Sequence, residues 1–151
     1  MSEADPRPPI EILKGLLDTG AVKLGVHIRK MNSPGSPVYR YWENIWPVGL
    51  IMGLSFAATV VVHYYLGGIL LVAGCALWLW RIQPRIKDGV FERTAGWATQ
   101  SEVHFDALWA KGVLSLYAEL PDGRKLAATR RDDWRFFARR MLAETNGTEA
   151  A

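Results

Sequence analysis

Charged side chains disappear from the chain between Ile45 and Trp80. Over that run (IWPVGLIMGLSFAATVVVHYYLGGILLVAGCALWLW) there is no Lys, Arg, Asp or Glu, and His63 is the only titratable group besides the tyrosines and Cys75. About 20 apolar helical residues cross a bilayer's hydrocarbon core, and one helix over the whole run would reach roughly 54 Å. The run therefore predicts two crossings with a turn near its middle. Tyr64-Tyr65-Leu66-Gly67-Gly68 is the turn the sequence offers, because two glycines accept either sign of φ and two tyrosines suit the headgroup level. The expectation is a helical hairpin of two transmembrane helices over residues 45–82.

The flanks of the run have the composition of membrane interfaces. Trp42, Trp46 and Arg40, with Tyr39 and Tyr41, precede it, and Trp78, Trp80 and Arg81 close it. Amphipathic rings at the headgroups and a basic side chain reaching phosphate are expected at both ends. Pro47 is expected at the start of the first helix, where its missing N–H costs nothing. The second span, Leu66 to Trp80, is only about 22 Å of helix, short unless it extends to Ile82 or the bilayer thins. The alternative is a hairpin that enters and leaves on one side.

Within the first helix Gly49, Gly53 and Ala57 recur every four residues, a pattern that lets another helix approach closely. With the turn near Tyr65, Ala57 falls level with Gly74, so the stripe is expected to pack mainly inside the hairpin, with a homo-oligomer face as the alternative. His63 beside Tyr64 and Tyr65 reads as an interface residue rather than a proton relay, since no Asp, Glu or second histidine is near it in sequence. Cys75 reads as a small packing residue, and one cysteine allows no intrachain disulfide.

Outside the run the pattern is that of a small folded protein. Residues 1–9 (MSEADPRPP) are polar and proline-rich and read as a disordered tail, without the pattern of a cleaved signal peptide. Insertion is then expected to rest on the hairpin's first helix as an uncleaved anchor. Ile10, Leu13, Leu16 and Leu17 recur at helical spacing after Pro9, so residues 10–44 are expected to hold an amphipathic helix and a linker, MNSPGSP. The helix's apolar face needs a cover, either lipid, a partner or the C-terminal part of this chain.

Residues 83–145 read as a small cytosolic α+β module. Pro84 is expected to break the second membrane helix, although a kinked extension is compatible with it. Helical spacing follows from Asp88 to about Lys111, interrupted near Ser101, which is a good cap for a second helix carrying Phe105, Leu108 and Trp109. Leu114, Leu116, Ala118 and Leu120 alternate with polar positions before Pro121-Asp122-Gly123-Arg124, the pattern of a β-hairpin. A two-stranded hairpin needs a covering helix. RRDDWRFFARRMLAE supplies one, with Trp134, Phe137, Ala138, Met141 and Leu142 on one face and Asp132 and Asp133 in its first turn. Residues 146–151 read as a tail.

Charge adds topology. Residues 1–44 hold six Lys/Arg against five Asp/Glu and residues 81–151 twelve against ten, for a net +3. Arg29, Lys30 and Arg40 precede the apolar run and Arg81, Arg85, Lys87 and Arg93 follow it, while the expected turn carries none. By the positive-inside rule both termini are expected in the cytoplasm, with the protein in an inner membrane as a multi-pass chain. Arg131, Arg135 and Arg139 with Trp134 are expected to contact lipid or a partner rather than nucleic acid, because Asp132 and Asp133 dilute the basic field.

Chemistry is sparse. His27, His63 and His104 lie on different segments, no glycine-rich phosphate loop or nucleophile motif occurs, and one intramembrane histidine offers at most a single axial ligand to haem. No catalytic, cofactor or metal residue is expected, and enzyme activity is not. The residues point to a non-catalytic accessory or structural subunit of a larger inner-membrane complex, partnered by lipid and by other membrane-protein subunits. The alternatives are a self-associating, pore-forming or holin-like hairpin and a lipid-binding or signalling module at the membrane surface.

Overall fold

In the computed structural model residues 6–149 are described, so the outer parts of both expected tails, residues 1–5 and 150–151, lie outside the described residues. The chain divides into two compact units. One contains the chain up to His27 together with everything from Thr94 onward, and the other is Ile28–Arg93. The protein is mostly helical, with one three-stranded sheet.

In the first unit α1 (Pro9–Asp18) opens on prolines at its first positions, where no intrahelical N–H is lost. Ile10, Ile12, Leu13 and Leu16 are buried. The cover this face needs is therefore supplied by the chain itself: α1 packs on α7 (Trp134–Glu149) and on strand β1 (Val22–Val26). β1 was not expected from the sequence, which read residues 10–44 as helix and linker. It pairs antiparallel with β2 (Leu114–Glu119), Val22 opposite Ala118 and Leu24 opposite Leu116. β2 also pairs with β3 (Lys125–Ala128) across the expected turn, where Gly123 takes a φ of 81°, open to glycine without strain. The sheet order is β1-β2-β3.

The sheet's buried face carries Val22, Leu114, Leu116 and Ala118. The helix packed on β2 is α6 (Glu102–Ala110), with Phe105, Leu108 and Trp109 buried, and Ser101 caps it by accepting from His104 N at 3.2 Å. The C-terminal helix starts later than expected. Asp132 and Asp133 precede its first turn, and Asp133 Oδ1 accepts from Arg135 N at 2.9 Å. The helix then runs on to Glu149, so residues 146–149, read as tail, are helical.

In the second unit a single turn, α2 (Ile28–Met31), precedes α3 (Tyr41–Val61), α4 (Tyr64–Leu77), a π-helical turn (Trp78–Ile82) and α5 (Gln83–Ala98), whose last residues belong with the first unit. Two helices are long and apolar enough to cross a membrane: Tyr41–Val61 and the continuous run Tyr64–Ala98. Both are exposed over most of their length, with Phe56, Val61 and Val72 among the open apolar side chains.

Three sequence expectations change here. The break between the helices is at Val62-His63, and Gly67 and Gly68 lie inside α4 rather than in the turn. Pro47 sits within α3, which begins earlier, at Tyr41. Pro84 does not end the second helix. The π turn just before it, in which Gln83 N bonds Trp78 O, widens the backbone where a proline ring would otherwise meet the carbonyl four residues back. The helix from Tyr64 to Ile82, with Arg81 near its end as its one charged side chain, thus rises about 28 Å, longer than the span counted from Leu66.

Candidate functional site

Residues that had been expected to pack helices separate into two groups. Gly74 does approach α3 closely: a Cβ there would lie 2.6 Å from Ile51 Cγ2. Its neighbour is Ile51, not Ala57. Gly67, which the sequence reading had placed in the turn, is the other contact, since a Cβ there would fall 2.7 Å from the Ser55 carbonyl oxygen and collide with Thr59 Oγ1. Spaced seven apart, Gly67 and Gly74 share one face of α4. Gly49 and Gly53 have open space where a Cβ would be, and Ala57 is exposed. The stripe therefore faces away from the hairpin's own contact, contrary to expectation, because the turn's earlier position shifts the register of the two helices. Ser55 and Thr59 satisfy their hydroxyls on the Ile51 and Ser55 carbonyls, both at 2.8 Å.

The aromatic residues expected at the interfaces are mostly outward. Trp42, Trp46, Tyr64, Tyr65 and Trp80 are exposed, Trp80 most of all at 83%, and Arg81 is open. Arg40 is exposed and pairs with Glu43 at 3.1 Å. Trp78 differs: it is half-buried, and its indole Nε1 is covered with no acceptor. His63 caps α4, its Nδ1 accepting from Tyr65 N at 3.3 Å, with its ring 4.5 Å from that of Tyr64. Cys75 is exposed rather than packed, which corrects the expectation for it.

Polar groups collect where α3 begins and α5 begins. The Glu43 carboxylate accepts from Arg93 Nη2 at 2.9 Å and Nη1 at 3.3 Å. Asn32 and Asn44 exchange two amide hydrogen bonds of 3.0 and 3.1 Å, and Asn44 Nδ2 also donates to the Arg40 carbonyl. Two hollows open beside these groups. One, of about 400 Å³, is lined by Glu43, Trp46, Arg85 and Arg93; the other, of about 440 Å³, by Arg29, Asn32, Asn44, Trp78, Gln83 and Lys87.

In the first unit the expected contact residues behave differently from one another. Trp134 is core, 1% exposed, its ring 4.6 Å from Phe105 and its Nε1 donating to Asp106 Oδ1 at 2.8 Å. Arg135 is also committed, donating to Asp106 Oδ2 at 2.6 Å and Glu102 Oε2 at 3.3 Å. The Arg135 hydrogen bond, aided by that of Trp134, holds the Asp106 carboxyl below the usual carboxylate range despite some desolvation, and Asp106 in turn raises Arg135. Trp134 is thus removed from the surface it was expected to form, whereas Arg135 stays at the surface, its side chain 37% exposed, with its guanidinium paired. Arg131 and Arg139 remain exposed, and Phe136 beside them is 68% exposed.

The sheet's other face is open. Lys23, Tyr117 and Lys125 border a surface hollow of about 670 Å³. Tyr117 lies across Gly25 of the neighbouring strand, where a Cβ would come within 2.8 Å of the ring.

The Asn32–Asn44 pair, Glu43–Arg93 and the Asp106 cluster had no sequence signal, since each joins segments far apart in the chain. Gly67 did have one, the seven-residue spacing to Gly74. Among the described residues no three His, Cys, Asp or Glu side chains gather to hold a metal ion. No protein-family model, curated protein or solved structure matches the chain.

Proposed function

We propose that this chain is a non-catalytic accessory or structural subunit of a larger inner-membrane assembly. In this reading the hairpin is the anchor and the unit containing the three-stranded sheet is the docking module. The observation that carries it is the pairing of two long helices left almost wholly exposed with a sheet whose one face is packed and whose other face is open around Tyr117. Exposed apolar surface on that scale is stable under lipid or against other apolar helices. The distribution of Arg40, Arg81, Arg85 and Lys87 at one end of the helices, with no Lys or Arg at Val62-His63, supports both termini lying in the cytoplasm.

A photo-crosslinking amino acid placed at Tyr117, followed by mild detergent extraction, tests the subunit reading. A discrete adduct with one other membrane protein, absent when the probe is moved to exposed Lys111, is the expected result. Recovery of the chain alone, monomeric and without adduct, would overturn it.

A second reading, self-association of hairpins, is favoured by the outward position of Gly49, Gly53 and Ala57. Gly53→Leu then abolishes a cross-linkable homo-oligomer while the monomer still folds. An oligomer unchanged by that substitution sinks this reading.

A further inference from the structure

The 440 Å³ hollow beside α3 and α5 holds an unusual set of side chains. Arg29 and Lys87 bring two positive charges, Trp78 an indole N–H, and Gln83 an amide, and no carboxylate lines it. These donors are also unspent. Among the described residues no hydrogen bond or ion pair engages Arg29, Lys87 or the Gln83 side chain, and Trp78 Nε1 is covered without an acceptor. The adjoining hollow differs in carrying a carboxylate: Glu43 lines it and pairs with Arg93, with Arg85 as its second cation.

We propose that this hollow binds the phosphate of an anionic lipid headgroup. Its position favours a lipid source over free phosphate. Trp78 stands where the apolar stretch Tyr64–Ile82 is ending, so the hollow opens at the depth at which headgroups meet helix ends. Its size lies in the range of small-molecule sites, and Ile28 and Ile86 give it an apolar part suited to glycerol and the first chain carbons. One wall is already set: the reciprocal Asn32–Asn44 amide pair holds α2's end against α3 without drawing on the free donors. Charge-assisted bonds from Arg29 and Lys87, with the Gln83 amide, then recognise two phosphate oxygens. The inference rests on the hairpin being embedded in a bilayer, as proposed above.

The test uses the full chain in detergent, with native mass spectrometry reading retained phosphatidylglycerol against phosphatidylcholine, and inorganic phosphate as a third arm. Wild type is expected to prefer phosphatidylglycerol. Arg29→Gln with Lys87→Gln is expected to weaken that preference about tenfold, as loss of two charge-assisted partners implies. Trp78→Phe, which keeps the ring and removes only a covered N–H, is expected to leave the preference in place. Arg131→Gln with Arg139→Gln removes the same charge elsewhere and leaves the preference in place. Equal loss in both double variants, or none in the first, overturns the site. Inorganic phosphate binding as well as phosphatidylglycerol overturns the lipid source. Vesicle flotation resistant to carbonate is measured in parallel on wild type: failure to float overturns the membrane reading, whereas flotation without headgroup preference overturns this proposal alone.

Discussion

Arg93 grips the Glu43 carboxylate at both oxygens, at 2.9 and 3.3 Å, across 50 residues of sequence. The pair joins the first turn of α3 to α5. Because Pro47 has no N–H to give the Glu43 carbonyl, the start of α3 has one helical bond fewer, and the ion pair ties that turn down from its side chain. Both side chains are about a quarter to a third exposed, so solvent screens the pair. A double-mutant cycle of Glu43→Gln and Arg93→Gln in detergent is expected to give a coupling of about 1 kcal/mol. A coupling indistinguishable from zero would mean that the two side chains do not stabilise one another.

The two close-approach glycines of α4 make a sharper mutational contrast. Gly67→Leu drives a side chain onto the Ser55 carbonyl and Thr59, and Gly74→Leu onto Ile51; backbone is less able to yield than a flexible side chain, so Gly67 is the more sensitive. A loss of about 1–3 kcal/mol is expected at Gly67 from overpacking, against little change in hairpin stability for Gly49→Leu. Thermal unfolding of the detergent-solubilised protein checks the order.

Leu13 is fully buried in the first unit, under α7 and beside β1. Leu13→Ala is expected to cost about 2–5 kcal/mol, and Leu13→Asp to unfold the sheet. If either variant keeps the native protease resistance of the C-terminal half, α1 is not part of that core.

Acid stability depends on Asp106. Its carboxyl is held below the usual carboxylate range by Arg135 and Trp134, so its folded pKa lies under its unfolded one. Stability from this source is present in full above the unfolded value of about 3.9 and is lost as pH falls through the folded value. Asp106→Asn is expected to lower stability at neutral pH and to flatten the dependence below about pH 4. Melting temperatures from pH 7 down to pH 2 report this, and an unchanged acid slope would remove Asp106 from the account.

Topology gives a prediction at single-residue resolution. In a Cys75→Ala background, Val62→Cys between α3 and α4 is expected to react with a membrane-impermeant maleimide in intact cells, and Ala143→Cys only after permeabilisation. The reverse pattern would invert the proposed orientation.

Local pattern alone determined a good deal of this protein. Absence of charge from Ile45 to Trp80, helical spacing in Ile10–Leu17, the Ser101 cap and the alternation of Leu114–Leu120 are signals of composition, period and capping that need only near neighbours. They specify two apolar helices, α1, α6, the β2–β3 pair and α7. Tertiary structure decided what those elements do to each other. Val22–Val26 became a strand because β2 had a free edge and α1 needed a sheet to cover. Trp134 turned inward, and Arg135 was tied beside it at the surface, because Asp106, on another helix, offers one carboxylate to both. Pro84 stayed helical because a π turn preceded it. Moving the hairpin's break to Val62-His63 rotated which small residues meet, putting Gly67 and Gly74 inside and Gly49 and Gly53 outside. A period in the sequence says which residues share a face; only the packed partner says which face is buried, since burial is a property of pairs of segments and not of either one.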